Sequence, residues 1–404
     1  NLTIMKKHTL LILTLLSMAT FVNGQGLLSV GQSGSFDDFD SKLPFTATIS
    51  GDIGFDSNVG NRPDGYEEES GYIRGGVGVA YAGGSRTTHV DLNARLSTLH
   101  YFDQPEAQGD DSFQTGRLGL KIYHKASPTL TIGNSAYLSH EIEPDDAIGA
   151  SASRRLDQYT YGYNSLWVSN SWTRRLKTVT RYSVTGIDYE GQLESVGEDR
   201  FTQTFSQEVR YVLDRLTSLV GEYRRANTDY DIVNLDYDAN YLLAGADHKF
   251  SDNVSGTLRL GGENRDYDSN DDDGWNPYAE ASLRYDLSDR TNLVWFTRYG
   301  YEDSEVFYHL SESRSVFRTA LNANHAFSDN VRGKAGLSYH TSDYDRGVLS
   351  ELTEYGISLN LGLNYRIMSN TDVNLGYSIT HLASDSAFRE YDRHRLWAGI
   401  SVTF

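Results

Sequence analysis

Eight short polar clusters punctuate this chain at intervals of roughly forty residues: Gly83-Gly84-Ser85, Ser127-Pro128, Thr173-Arg174-Arg175, Asp214-Arg215, Ser251-Asp252-Asn253, Ser288-Asp289-Arg290, Ser328-Asp329-Asn330 and Ser369-Asn370-Thr371. Gly tolerates left-handed backbone, and Ser, Thr, Asp and Asn hydrogen-bond their own backbone, so each cluster reads as a tight hairpin turn. From Phe45 onward the residues on either side of each turn alternate apolar with small or polar side chains, the period of a strand rather than a helix. Two strands, a tight turn and a longer acidic loop, repeated along the chain, form a repeat architecture. The 28 Tyr, 16 Phe and 5 Trp, set beside only 6 Pro, agree with strands throughout.

An opening strand at about 45–55, eight hairpins and a closing strand at about 394–404 give eighteen strands. An even number lets the first and last strands meet antiparallel and leaves both ends on one side. Only near Tyr241, in the tenth strand, is the alternation without a clean phase. It is unbroken along the sixteenth strand: Ile357, Leu359, Leu361, Leu363 and Tyr365 share one face, and Ser358, Asn360, Gly362 and Asn364 the other. A soluble sandwich rarely sustains this over so many strands of ~10 residues. The expected fold is all-β, a transmembrane antiparallel up-and-down barrel of about 18 strands. Tyr81, Tyr101, Tyr285, Tyr299, Tyr301 and Tyr339, near strand ends, are expected to form the interfacial girdles.

The two ends agree with export to such a membrane. Met5-Lys6-Lys7, the apolar run Leu10 to Val22 and the small-residue site Val22-Asn23-Gly24 read as a secretory signal peptide. The expected organisation is 1–24 signal peptide with an upstream extension, 25–44 periplasmic N-terminal segment, and 45–404 outer-membrane barrel. The chain has no Cys, so neither disulfides nor a lipidated cysteine are available. At the other end Leu396, Ala398, Ile400, Val402 and Phe404 share a face. An alternating last strand ending in Phe resembles the signal read by the outer-membrane assembly machinery, which makes Phe404, Val402 and Ile400 the expected assembly signal.

Charge sorts by place. In the polar phase of the strands stand Arg74, Arg95, Arg117, Lys121, Lys177, Arg181, Arg210, Arg224, Arg259, Arg265, Arg284, Arg298, Arg318, Arg332 and Lys334, against Asp52, Asp91, Glu141, Glu208, Glu222, Glu263, Glu280 and Asp286. Fifteen bases against eight acids predict a net basic lumen within a chain of formal charge -19. Barrels of this size hold water, and a basic channel concentrates anions. The alternative is that pairs such as Glu208 with Arg210, or Glu222 with Arg224, brace the wall and carry no selectivity.

The remaining acid lies in loops: Asp64 with Glu67 to Glu69, Asp110-Asp111, Glu143 with Asp145-Asp146, Glu194 with Glu198-Asp199, and Asp271 to Asp273. Such loops are solvated faces, or bridge through divalent cations to lipopolysaccharide phosphates. Ser269, Asp271, Asp273, Gly274 and Glu280 have the spacing of a calcium loop, which makes Asp271, Asp273 and Glu280 candidate ligands for loop-bound Ca2+ or Mg2+. Ser replaces the first Asp, and Pro277 intervenes. No other cofactor is expected. His340 and Ser342 have the spacing of barrel lipid deacylases, but their phase is that of Arg332 and Lys334, facing away from lipid. No catalytic residue is therefore expected, and an acidic chain without a basic patch excludes nucleic acid as a partner. About 20 residues, Gln25 to Pro44, precede the first strand, too few for the plug of a TonB-dependent receptor.

The units "FSDNVSGTLRLGGENRDYDS", "LSDRTNLVWFTRYGYEDSE" and "FSDNVRGKAGLSYHTSDYDRG" resemble the family named putative β-barrel porin 2 of Gram-negative outer membranes. The resemblance runs over nearly the whole mature chain. It implies an outer-membrane barrel among lipids and lipopolysaccharide and, from relatives beside exopolysaccharide synthesis clusters, passage of a polysaccharide. The strand number and Arg-rich lumen are also similar to outer-membrane alginate exporters. The expected function is a passive channel for small anionic or sugar solutes, including exopolysaccharide export. The rival expectation is a structural barrel with a sealed lumen whose acidic loops bind polysaccharide, divalent cations or neighbouring subunits.

Overall fold

The computed structural model describes residues 44–103, 110–142, 158–190, 199–231, 235–268, 274–303, 313–344, 352–386 and 389–404. The expected signal peptide, most of segment 25–44, and Asp271 and Asp273 lie outside the described residues. The strands are β1 (Phe45–Asp56), β2 (Ser70–Gly84), β3 (Thr88–Tyr101), β4 (Ser112–Lys125), β5 (Leu130–Glu141), β6 (Tyr159–Ser171), β7 (Leu176–Tyr189), β8 (Arg200–Val212), β9 (Thr217–Tyr230), β10 (Tyr237–Lys249), β11 (Val254–Tyr267), β12 (Trp275–Ser288), β13 (Thr291–Asp303), β14 (Ser313–Ala326), β15 (Val331–Tyr344), β16 (Thr353–Met368), β17 (Thr371–Ser384) and β18 (Tyr391–Thr403). Each pairs antiparallel with the next, and β18 closes on β1 from Thr48↔Thr403 to Asp56↔Arg395. No edge is left to template aggregation.

All eight expected turns fall at the short connections, and their chemistry explains their tightness. In five of them a Ser, Thr or Asp turns its oxygen back to accept backbone N–H groups two and three residues on: Ser85 from Thr87 and Thr88, Ser127 from Thr129 and Leu130, Thr173 from Arg175 and Leu176, Asp214 from Leu216 and Thr217, Ser328 from Asn330 and Val331. Donors that would otherwise be orphaned at the strand end are thereby satisfied. Phe404 seats the closing end, its N–H bonded to Ala47 O and its carbonyl accepting from Ala47 N–H. Both chain ends of the barrel thus lie on the short-turn side.

The strands run 12 to 16 residues, so at ~3.3 Å per residue and ~40° tilt the wall spans a bilayer core of ~30 Å. Ile49, Leu96, Leu166, Leu242, Leu321 and Ile400 point outward and are exposed, as a lipid-facing surface requires. The buried residues lie on the opposite face, inside the barrel. β10 shows why its phase was illegible: outward Leu242 is followed by inward Leu243, and Tyr237, Ala239 and Tyr241 also face in.

Tyr101 does not belong to the outer girdle. It is buried inside against Tyr72 and Phe113, on the same parity as Arg95. It is one of a set of inward tyrosines at the loop ends of the strands, with Tyr72, Tyr159, Tyr189, Tyr237, Tyr267 and Tyr391. Cross-strand register brings them together as Tyr72↔Tyr101, Tyr159↔Tyr189 and Tyr237↔Tyr267.

Candidate channel lining

Strand alternation puts the lining in place: every second residue faces the lumen, and register carries a row of side chains around the wall. Arg74, Arg95, Arg117, Lys121, Lys177, Arg181, Arg210, Arg224, Arg259, Arg265, Arg284, Arg298, Arg318, Arg332 and Lys334 all lie on the inner parity of their strands. Their surroundings differ sharply between two arcs.

From β8 to β16 the guanidinium groups are held in a linked belt. Arg210 reaches Glu208 (2.6 Å) and Asp247 (3.1 Å), and Asp247 also receives Arg259 (2.7 Å). Arg224 lies between Glu222 and Glu280, the latter at 2.9 Å and also accepting the Tyr278 hydroxyl at 2.8 Å. Glu263 is fully buried, takes the Tyr301 N–H at 2.9 Å and lies 3.4 Å from Arg265. Glu302 accepts both arms of Arg318 (2.7 and 2.5 Å), with Arg314 at 3.7 Å and Arg298 at 3.8 Å. Glu354 gathers Arg389, Ser384 and Tyr344. Arg224 and Arg298 flank the Tyr278 ring, each 5.8 Å from its centre. Carboxylates and guanidinium groups removed from water need this degree of pairing.

From β1 to β7 the wall is barer, with Arg181, buried against Tyr163, the exception. Arg74 grips Asp52 through two bonds of 3.0 and 2.9 Å, Arg95 reaches Ser50 Oγ at 3.2 Å, and Arg117 meets Glu141. Lys121 is exposed to the lumen. Between the cations stand small residues: Gly76, Ser97, Thr115, Gly119, Ser135, Ser139, Ser165 and Ser183 are inward. At the turn side of the other arc, Arg284 pairs with Asp286 (3.1 Å) and Arg366 with Asp372 (3.4 Å), while Arg332 and Lys334 face in nearby.

Several members of this lining were absent from the sequence set. Asp247 was hidden by the unreadable phase of β10. Asp56, Glu302, Glu354, Arg389, Arg393 and Arg395 stand at loop ends of strands or just beyond them, where sequence alone does not separate wall from loop. Asp56 is fully buried and binds Arg393, with Arg395 at 3.5 Å. The parity of Arg318 would have found Arg314.

Glu280 is not a loop ligand. β12 begins at Trp275, so the twelfth position of the calcium spacing falls inside the wall, where Glu280 is held by Arg224 and Tyr278. Among the described residues no cluster of three metal-ligating side chains forms. Glu67, in the described β1–β2 loop, is held below the ordinary carboxylate range by the Gly65 N–H, an internal bond of the loop. His340 is inward, its ring lying over Gly356. A cavity of about 710 Å3 lined by Ala323, Gly333, Ala335, Leu363 and Leu375 opens on the outer, lipid-facing surface, away from the lumen.

Residues 311–404 match the model of the family described as putative beta-barrel porin 2, the family that the repeat units resemble. No curated protein matches the chain. Among solved structures it is similar to a BenF-like porin from Pseudomonas fluorescens Pf-5 (11% identity, TM-score 0.48, 89% of this chain and 99% of that one). It is also similar to OpdO of Pseudomonas aeruginosa (13%, 0.46, 89% and 97%) and to the siderophore receptor PirA of Acinetobacter baumannii (10%, 0.46, 91% and 81%). The closed barrel with its apolar outer face, together with the family match, places the protein in the bacterial outer membrane.

Proposed function

We propose that this barrel is a passive outer-membrane channel that favours anionic and sugar solutes. The observation that carries the reading is the uneven lining: on the inner wall from β2 to β7 cations outnumber acids, and small glycine, serine and threonine side chains alternate with aromatic ones. An aqueous lumen lined this way lowers the energy of an anion along its path. Exopolysaccharide, as a chain of sugars bearing carboxylates, fits the same lining. Phe404, with Val402 and Ile400, serves as the assembly signal, and the acidic loops meet lipopolysaccharide at the outer surface.

The second reading, a structural barrel with a sealed lumen, is favoured by the belt of ion pairs from β8 to β16, which neutralises itself. In the channel reading that belt is the brace and the barer arc is the path. Ion conductance of the refolded protein in a planar bilayer separates the two. Steady conductance supports the channel, and none from a correctly folded barrel supports the scaffold.

A further inference from the structure

The inner face of β6 is unlike any other strand. Its inward residues are Tyr159, Tyr161, Tyr163, Ser165, Trp167, Ser169 and Ser171, so four of seven are aromatic and they run from the loop end most of the way to the turn. Tyr159 is buried with Tyr189 and Ile187 and belongs to the packed rim. Tyr161, Tyr163 and Trp167 are only half-buried, as is Tyr137, the cross-strand partner of Tyr163 on β5. Tyr137 and Tyr161 have ring centres 6.1 Å apart. Trp167 lies over Gly133, where an added Cβ would fall 2.2 Å from its ring. The indole thus packs against the wall at Gly133 and, half-buried, keeps part of its surface open to the lumen. Residues two apart on one face are ~7 Å apart, so the rings make a ladder of ~20 Å from Tyr161 to Trp167.

We propose that this ladder is a stacking track for the sugar rings of an acidic saccharide. The inference rests on the channel reading and gives it a substrate class. The C–H faces of a pyranose are apolar and pack on the electron-rich face of an aromatic ring, while its edge carries hydroxyls that need partners. The track supplies both. Between the levels of Tyr163 and Trp167 runs a row of cross-strand serines, Ser135↔Ser165↔Ser183. Two cations bound the row: Arg181 is the cross-strand partner of Trp167, and Lys121 that of Ser135. Lys121, exposed, stands where the carboxylate of a uronic acid ring would lie while the ring is stacked, and Arg181, buried, bonds the Tyr163 side chain and fixes that ring.

The test is equilibrium binding of a galacturonic acid hexamer to the refolded full-length barrel in detergent, by calorimetry, with maltohexaose and sulfate as comparisons. The acidic hexamer is expected to bind and the other two to bind more weakly. Trp167→Ala and Tyr163→Ala are each expected to weaken it about tenfold, with Trp167→Phe restoring most of the loss. Lys121→Gln is expected to weaken the acidic hexamer and leave maltohexaose unchanged. If Trp167→Ala does not fold, Gly133→Ala, which lifts the indole off the wall, replaces it. No hexamer binding, or binding unchanged by the aromatic substitutions, overturns the track. Equal binding of maltohexaose overturns the acidic assignment. Binding is read without ion flow, so a barrel that binds but does not conduct refutes the channel reading alone.

Discussion

The wall from β8 to β14 and the wall from β2 to β7 share strand length, register and an apolar outer face, yet their inner faces differ. In the first, Arg210, Arg224, Arg259, Arg298 and Arg318 are locked to Asp247, Glu222, Glu280 and Glu302 and largely removed from water. In the second, Arg117 retains 40% of its side-chain exposure beside Glu141, and Lys121 looks into the lumen. The difference teaches that a count of lumen charges does not measure a field. An arginine whose carboxylate partner touches it contributes structure, whereas one facing water contributes potential.

The sharpest way to break this contrast is Glu302→Gln. It leaves Arg298, Arg314 and Arg318 around a neutral amide, all under 10% exposed, and is expected to cost ~3–5 kcal/mol in a urea unfolding series. A loss below ~1 kcal/mol would show that water already reaches the belt. Next, Tyr278→Phe removes the hydroxyl that Glu280 accepts and is expected to cost ~1–3 kcal/mol. In the barer arc, Glu141→Gln is expected to cost no more than ~1 kcal/mol, because Arg117 is half in water, while raising anion preference in a bilayer.

The smallest effect sits outside both arcs, in the turn between β8 and β9. The backbone N–H groups of Leu216 and Thr217 hold the Asp214 carboxyl below its ordinary value. A lowered folded value means that the stabilisation is present above the unfolded carboxylate range, ~4, and is lost as pH falls through the folded value. Asp214→Ser, the chemistry of the sister turns, is expected to remove this pH step. The midpoint difference between wild type and variant should then shrink on acidification, which parallel urea series at neutral and acidic pH would check.

Most of the fold was legible because its rules are local. A period of two, seven turn-opening Ser, Thr or Asp residues that accept from their own backbone, and an even strand count need no tertiary information. The same parity located the inner basic residues. What failed was whatever depends on where a strand ends or what its neighbour is. Tyr101 carries the composition of a girdle residue but the parity of Arg95. Glu280 carries the spacing of a calcium loop but lies in a wall whose arginine is three strands away, on β9. Asp247 sits on a strand whose inward face is as apolar as its outward one. The aromatic ladder was present in "YTYGYNSLW", and only the register, which sets Trp167 against Gly133, distinguishes it from a girdle pattern.

The central claim is that the cations of the barer arc give an open, anion-favouring lumen. Its most direct test is the reversal potential of single channels of the refolded protein under a potassium chloride gradient. A steady conductance whose reversal potential has the sign of chloride preference is the predicted result. A cation preference, or silence from a folded barrel, would contradict it.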